Sequence, residues 1–284
     1  MTRMNAELRG KIDGAVESLA EQIERGKSEQ LIAFLRCMAR FHKYSAGNAV
    51  LIWLQKPQAT HVAGFRTWKK LGRKVNKGEK GIQILAPITR RQKIVLENDE
   101  ELEDETLVAF RPCYVFDISQ TSGEPIPAPA RLRGDPGVFM DRLLGFVAER
   151  GIELRYSTRL GRTEGVCMKG TIVLNANLDV APRFGTLVHE VAHHLLHLGG
   201  DVIPDRKVRE TEAEAVAYVV GHAVGLEPGT SSSDYLLTYQ TDRKTLLESL
   251  TRIRRTAAQI IDAITESSDT AVSRTTEHAH AAAA

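Results

Sequence analysis

The segment His189-Glu190-Val191-Ala192-His193 constrains this 284-residue chain more than any other stretch. On an α-helix of about 3.6 residues per turn, positions i and i+4 stand one above the other, so two imidazoles share a face and can grip one metal ion. Glu190 lies beside that pair, placed to take a proton from a water whose pKa zinc lowers to roughly 7. The pattern predicts metal-assisted hydrolysis, with one catalytic Zn²⁺ held by His189 and His193 and with Glu190 as the base. The flanks agree. Pro182 suits a helix start, Phe184, Leu187, Val188, Val191, Leu195 and Leu198 recur at helical spacing, and Gly199-Gly200 ends the helix. Between Phe184 and Gly200 the only formally charged residue is Glu190, so the face opposite the apolar stripe is expected to line a cleft.

A catalytic zinc needs a third protein ligand and an open position. A third histidine six residues after the second is ruled out by Gly199, and His194 and His197 read as packing residues or outer supports of the ligands. The next helix, expected over 208–226, is apolar nearly all round and carries Glu210 and Glu214 at i, i+4. Two carboxylates stacked on a buried face repel unless a cation or a shared hydrogen bond compensates them. Glu210 is therefore assigned as third ligand and Glu214 as the acid that orients a ligand imidazole. The alternative is that both pair with Arg206, Lys207 or Arg209. Glu212 is rotated about 200° from Glu210 and is expected to point elsewhere.

These residues resemble the gluzincin arrangement, in particular the metallopeptidase domains of the ImmA/IrrE type. That family usually has Asn where Glu214 stands. The resemblance implies a zincin-like fold and a zinc-dependent peptidase with an unknown protein substrate.

The length suits two domains. The N-terminus lacks an apolar leader core and no stretch approaches the roughly 18 apolar residues of a membrane span, so a cytoplasmic protein with no membrane partner is expected. Three widely spaced cysteines, Cys37, Cys113 and Cys167, read as core thiols.

A net charge of +2 conceals a segregation. Residues 61–95 carry ten basic side chains and one acid, whereas 97–105 carry seven acids and no base. The basic density favours a polyanion. The acidic run reads as a solvated hairpin tip between strands near 82–96 and 107–116, or as an internal mimic of nucleic acid. Phe65 and Trp68 stand among Arg66, Lys69, Lys70, Arg73, Lys74, Lys77 and Lys80. Aromatics within a basic stretch suit single-stranded DNA, whose bases offer π-faces and whose linkages offer phosphates. Each aromatic equally fits a core position, and no duplex-reading signature is present.

Tyr44-Ser-Ala-Gly-Asn48, Gln55-Lys-Pro57, Thr60 to Leu71, Lys77-Gly-Glu-Lys-Gly81, Pro87-Ile88 and Val115-Phe-Asp-Ile-Ser-Gln-Thr121 are similar, in order and spacing, to the N-terminal domain of the ArdC antirestriction family. The similarity covers roughly residues 5–127. It implies binding of single-stranded DNA with little sequence preference, a following metallopeptidase domain, and protection of incoming mobile-element DNA from restriction. Asn48, Thr60, Gly64, Arg66, Trp68, Lys69 and Lys77 to Gly81 occupy the matching motif.

The expected fold class is α+β in two domains, an N-terminal mixed α/β domain that binds single-stranded DNA and a C-terminal zincin-like domain. The expected boundaries are 1–118, a Pro/Gly-rich linker over 119–136, the metallopeptidase over 137–266 and a disordered tail over 267–284. Helices are expected near 6–25, 28–41, 45–55, 138–150 and 242–265, with short strands at 152–156, 165–168 and 171–174. Tyr218, His222 and Tyr235 are candidates for stabilising an oxyanion. Two other readings stay open: a regulatory protease that cleaves a repressor, and a DNA-binding protein whose metal site is not catalytic.

Overall fold

The computed structural model describes residues 3–25, 29–95, 101–125, 135–198, 205–226 and 243–265, the backbone alone at 3, 91–95, 101–105 and 243–245. The expected disordered tail, the tip of the acidic run at 97–100, residues 126–134 of the linker and Tyr235 lie outside the described residues. The fold class is α+β, and the chain divides into two compact units, one of 1–13 and 51–126 and the other of 14–50 and 127–267. No helix among the described residues is long and apolar enough to cross a membrane.

Helix α1 (Arg3–Glu24) is followed by α2 (Glu29–Arg40) and α3 (Ala46–Gln55). The periodicity of α2 buries Leu31, Phe34, Leu35 and Met38 on one face, and that face decides where it packs. Leu31 and Leu35 line one small cavity with Thr211 and Ala215 of α7 (Arg206–Ala223) and Leu246, Leu250 and Ile253 of α8 (Arg243–Thr265). Arg36 Nε donates to the Tyr218 hydroxyl at 2.8 Å, and an Arg254 guanidinium nitrogen donates to the His42 carbonyl at 3.1 Å. A cut at 118 assigns α2 to the N-terminal domain. In the structure, residues 14–50 share a compact unit with the C-terminal helices, because the apolar face of α2 is covered there.

In the other unit, β1 (Val62–Gly64), β4 (Glu101–Asp117) and β3 (Ile82–Val95) form a three-stranded antiparallel sheet in the order β1-β4-β3. Inward-facing Ile82, Ile84 and Ala86 alternate with less buried neighbours, the period-2 signature of a half-covered strand. A bulge after Ile88 shifts the register. Residues 101–105 of the acidic run, expected as part of the hairpin tip, are instead strand: Arg91 stands opposite Glu105 and Lys93 opposite Glu103. Short α4 (Phe65–Lys70) leads through Gly72, at φ 71°, into β2 (Arg73–Val75). β2 pairs antiparallel with β5 (Thr121–Gly123).

That pairing places 119–123 inside the unit rather than in the expected linker, and Asp117 is the reason. Its carboxylate accepts from the backbone N–H groups of Thr60 (2.7 Å), His61 (3.1 Å) and Ser119 (3.0 Å), while its own N–H donates to Gln120 Oε1 at 2.9 Å. This capping box starts a single 3₁₀ turn, Ile118–Gln120, that turns the chain onto β2. Burial pushes the Asp117 carboxyl up, but the hydrogen bonds from Ser119, Thr60 and His61 outweigh it and hold the group below the usual carboxylate range.

The second unit continues with α5 (Val138–Glu149) and a three-stranded sheet of β6 (Glu153–Ser157), β7 (Gly165–Met168) and β8 (Thr171–Asn175), in the order β6-β8-β7. β6 runs parallel to β8 and β7 antiparallel to it, so β7 is an edge. Helix α6 (Val180–His197) packs on this sheet, burying Phe184, Leu187, Val188 and Val191 completely, and α7 and α8 cover its flank. All three cysteines are free thiols; Cys37 is a core thiol, and burial pushes it up to about 12, whereas Cys113 and Cys167 are half-buried.

Candidate metal centre

Helix α6 runs unbroken through the motif, so His189 and His193 stand one turn apart with their Nε2 atoms 3.0 Å from each other. Asp205 caps α7 by accepting from the Val208 N–H at 3.0 Å, which fixes where the first turns of that helix present their side chains. Glu210 Oε2 then lies 3.6 Å from His189 Nε2 and 3.5 Å from His193 Nε2. These three residues are the group of His, Cys, Asp and Glu side chains, among the described residues, whose ligand atoms converge enough to hold a metal ion.

The donor set fits a cation. A point equidistant from the three atoms lies roughly 2.0 Å from each, the length of a zinc–nitrogen or zinc–oxygen bond. Burial pulls the His193 imidazole down to about 4, with His189 adding to the effect, so it presents a bare lone pair. Burial also disfavours charge on His189, but the Glu210 and Glu214 carboxylates override it and hold that ring up to about 9. The hydrogen bond from His189 in turn holds Glu210 down at about 2.

Behind this cluster, Glu214 Oε2 lies 3.1 Å from His189 Nδ1. Glu212 points elsewhere, as the rotation requires. It is fully buried, and its carboxylate receives Ser249 Oγ and the Arg252 guanidinium from α8 and lies 3.1 Å from His197 Nε2. His197 Nδ1 is 3.2 Å from His193 Nδ1. Sequence reasoning read His197 as a packing residue or an outer support of the ligands and did not anticipate Ser249 or Arg252; the signal for them was an acid, Glu212, on a helix expected to be buried.

Glu190 is 7% exposed and faces β7. Gly165 makes room for it: a β-carbon there would meet Thr186 Cγ2 and Glu190 Oε1, each at 2.8 Å. Burial raises the Glu190 carboxyl and Glu210 adds to it, while His189 and a hydrogen bond from the Cys167 backbone lower it, leaving the group above its ordinary range. Tyr218, an oxyanion candidate, is 3% exposed, and its hydroxyl oxygen accepts from Arg36 Nε.

The sequence-assigned DNA contacts divide. Arg66, Lys69, Lys70, Lys74, Lys77 and Lys80 are exposed on α4, β2 and the loop after it. Arg73 is not free: its guanidinium donates to Thr121 Oγ1 (2.8 Å), Thr121 O (3.0 Å), Gly123 O (3.1 Å) and Glu124 O, where it locks β5 to β2. Trp68 is corrected from base stacking to core, being 1% exposed with Nε1 donating to Phe116 O at 2.8 Å. Phe65 is the aromatic that faces outward, at 56%. The loop carrying Lys77 and Lys80 is stapled by Gln120, whose amide donates to Glu79 Oε2 (2.9 Å) and Lys80 O (2.8 Å) and whose carbonyl accepts from the Asn76 N–H (2.9 Å).

Comparison with known proteins bears on the fold. The chain is 25% identical over 295 residues to an uncharacterized protein of Bacillus anthracis, a match covering 83% of this chain and 48% of that protein, so the chain spans about half the relative's length. The metal-free crystal structure of the antirestriction protein ArdC from the R388 plasmid aligns with a TM-score of 0.52 at 19% identity, covering 89% of this chain and 97% of that one. The Mn(II)-bound structure of the same protein gives 0.53 at 20%, covering 90% and 98%. The fold is therefore that of ArdC over nearly the whole chain. Residues 3–116 match the family model of the N-terminal domain of anti-restriction factor ArdC.

Proposed function

We propose that this chain is a zinc-dependent metallopeptidase that also binds single-stranded DNA, and that it acts in protecting incoming DNA from restriction. The observation that carries the enzymatic reading is the convergence of His189, His193 and Glu210 beside the buried carboxylate of Glu190. Two imidazoles and one carboxylate are the ligand set of catalytic zinc sites, whereas manganese favours sites richer in oxygen. Bound there, zinc supplies a Lewis acid that polarises a carbonyl and acidifies water. Glu190, raised by burial, is placed to receive the proton and return it to a leaving amine. Glu214 holds His189 in orientation through its Nδ1. The edge strand β7, antiparallel to β8, runs beside Glu190 and is the strand along which an extended peptide would lie.

The nucleic-acid reading is supported by the N-terminal family match and by six exposed lysine and arginine side chains around Phe65. The protective role is supported by the likeness to antirestriction proteins.

Metal analysis of the purified chain, with Glu190→Gln beside it, tests the enzymatic half. The expected result is one zinc per chain in both and peptide cleavage in the parent alone. Cleavage that persists in Glu190→Gln overturns Glu190 as the base. Gel shifts with single-stranded and duplex DNA of equal length, at several salt concentrations, test the other half; equal affinity for the two forms overturns it.

A further inference from the structure

The two ligand imidazoles are supported differently. At Nδ1, His189 meets a carboxylate directly, Glu214, whereas His193 reaches one at that atom through a second imidazole. His193 Nδ1 is 3.2 Å from His197 Nδ1, and His197 Nε2 is 3.1 Å from Glu212 Oε2. The His197 and Glu212 side chains are 2% and 0% exposed, so water does not stand in for either contact.

The direction of each hydrogen bond along this line follows from its far end. Arg252 only donates and a carboxylate only accepts, so His197 Nε2 carries the hydrogen that faces Glu212. A neutral imidazole protonated at Nε2 has a bare Nδ1, which accepts from His193 Nδ1–H. His193 then has its remaining lone pair on Nε2, the atom 3.5 Å from Glu210 and 3.0 Å from His189 Nε2. Every donor in the line faces an acceptor, and the last lone pair faces the ligand cluster.

We infer that the buried His197–Glu212 pair is a positioning device that fixes His193 in its Nδ1–H tautomer and so aims its Nε2 lone pair into the metal site. Ser249 and Arg252, from α8, hold Glu212 charged and in place. The inference rests on the reading of His189, His193 and Glu210 as metal ligands. It adds residues that touch neither metal nor substrate yet set how well one ligand binds.

The test uses the full chain in three forms: parent, His197→Phe and His197→Gln. Zinc affinity is measured by competition with a chromophoric chelator, alongside the melting temperature of each metal-free form. Phenylalanine keeps the volume and removes the link, and is expected to weaken zinc 10- to 100-fold in a protein that still folds. Glutamine can accept from His193 and donate to Glu212, and is expected to recover most of that affinity. Zinc affinity in folded His197→Phe equal to the parent overturns the inference and leaves His197 a packing residue. A second measurement needs no variant. In zinc-loaded parent labelled with ¹⁵N at histidine, long-range ¹H–¹⁵N correlation is expected to find His193 protonated only at Nδ1 and His197 only at Nε2. A hydrogen on His197 Nδ1 overturns the inference whatever the variants do. A parent that binds no zinc at all removes the metal-centre reading itself, a failure distinct from either of these.

Discussion

Gly165 and Glu190 are packed so closely that a β-carbon on the glycine would stand 2.8 Å from the glutamate Oε1. The edge strand β7 and the helix α6 thus meet through the carboxylate proposed as the base. Gly165→Ala is expected to push that carboxylate aside without touching a ligand. Cleavage should fall about 100-fold, the usual consequence of misplacing a catalytic group by an ångström, while bound zinc stays unchanged. Single-turnover peptide cleavage with parallel metal analysis checks this.

Zinc should stabilise the folded chain, because the unfolded chain does not hold His189, His193 and Glu210 together. At a free concentration 1,000 times the dissociation constant, the gain is about 4 kcal/mol. Thermal melts with and without chelator should differ for the parent and coincide for a Glu210→Ala variant that no longer retains the ion.

Asp117 gives the first unit a defined acid sensitivity. Its folded carboxyl is held below its unfolded range, so between the two values the unfolded chain binds more protons and stability rises with pH. The contribution is complete above the unfolded pKa and is lost as pH falls through the folded one. Asp117→Asn should cost about 1–3 kcal/mol at neutral pH and flatten this part of the profile. Urea unfolding across the acid range measures both.

Phe65 and Trp68, three residues apart, should behave oppositely. Phe65→Ala is expected to weaken single-stranded DNA binding by about 1–3 kcal/mol with the melting temperature unchanged. Trp68→Ala should destabilise the unit by about 3–5 kcal/mol, because it empties a core site and leaves Phe116 O without its donor. Replacing Lys77 and Lys80 by Ala should make the logarithmic salt dependence of binding shallower, by about 0.7 for each phosphate that these side chains neutralise. Fluorescence anisotropy and calorimetry separate these effects.

The parts legible in the sequence are those governed by local period. The α6 stripe, the stacking of His189 on His193 and the placement of Glu210 and Glu214 on one face of α7 all follow from 3.6 residues per turn. Non-local pairing was not legible. Nothing in residues 119–123 announces that they pair with 73–75, since their Pro/Gly-rich surroundings have the composition of a linker. Arg73 reads as one more surface cation until its backbone acceptors on β5 are in place. Trp68 was ambiguous because a basic stretch surrounds both a solvent-facing and an inward-facing ring. His197 gained its partner only when α7 packed on α6 and α8 on α7, which no spacing within one helix encodes.

Helix α7 sends three alternate acids to separate places: Glu210 to the cluster with His189 and His193, Glu212 to α8 and Glu214 to His189 Nδ1. Metal occupancy and the docking of α8 are therefore two readings of one helix position. An ion held at the centre would fix α7, and with it the carboxylate that Ser249 and Arg252 of α8 grip. By thermodynamic reciprocity, any effect of that ion on the hold on α8 would be matched by an equal effect of α8 on metal affinity, and a helix outside the ligand set would then be a handle on the centre.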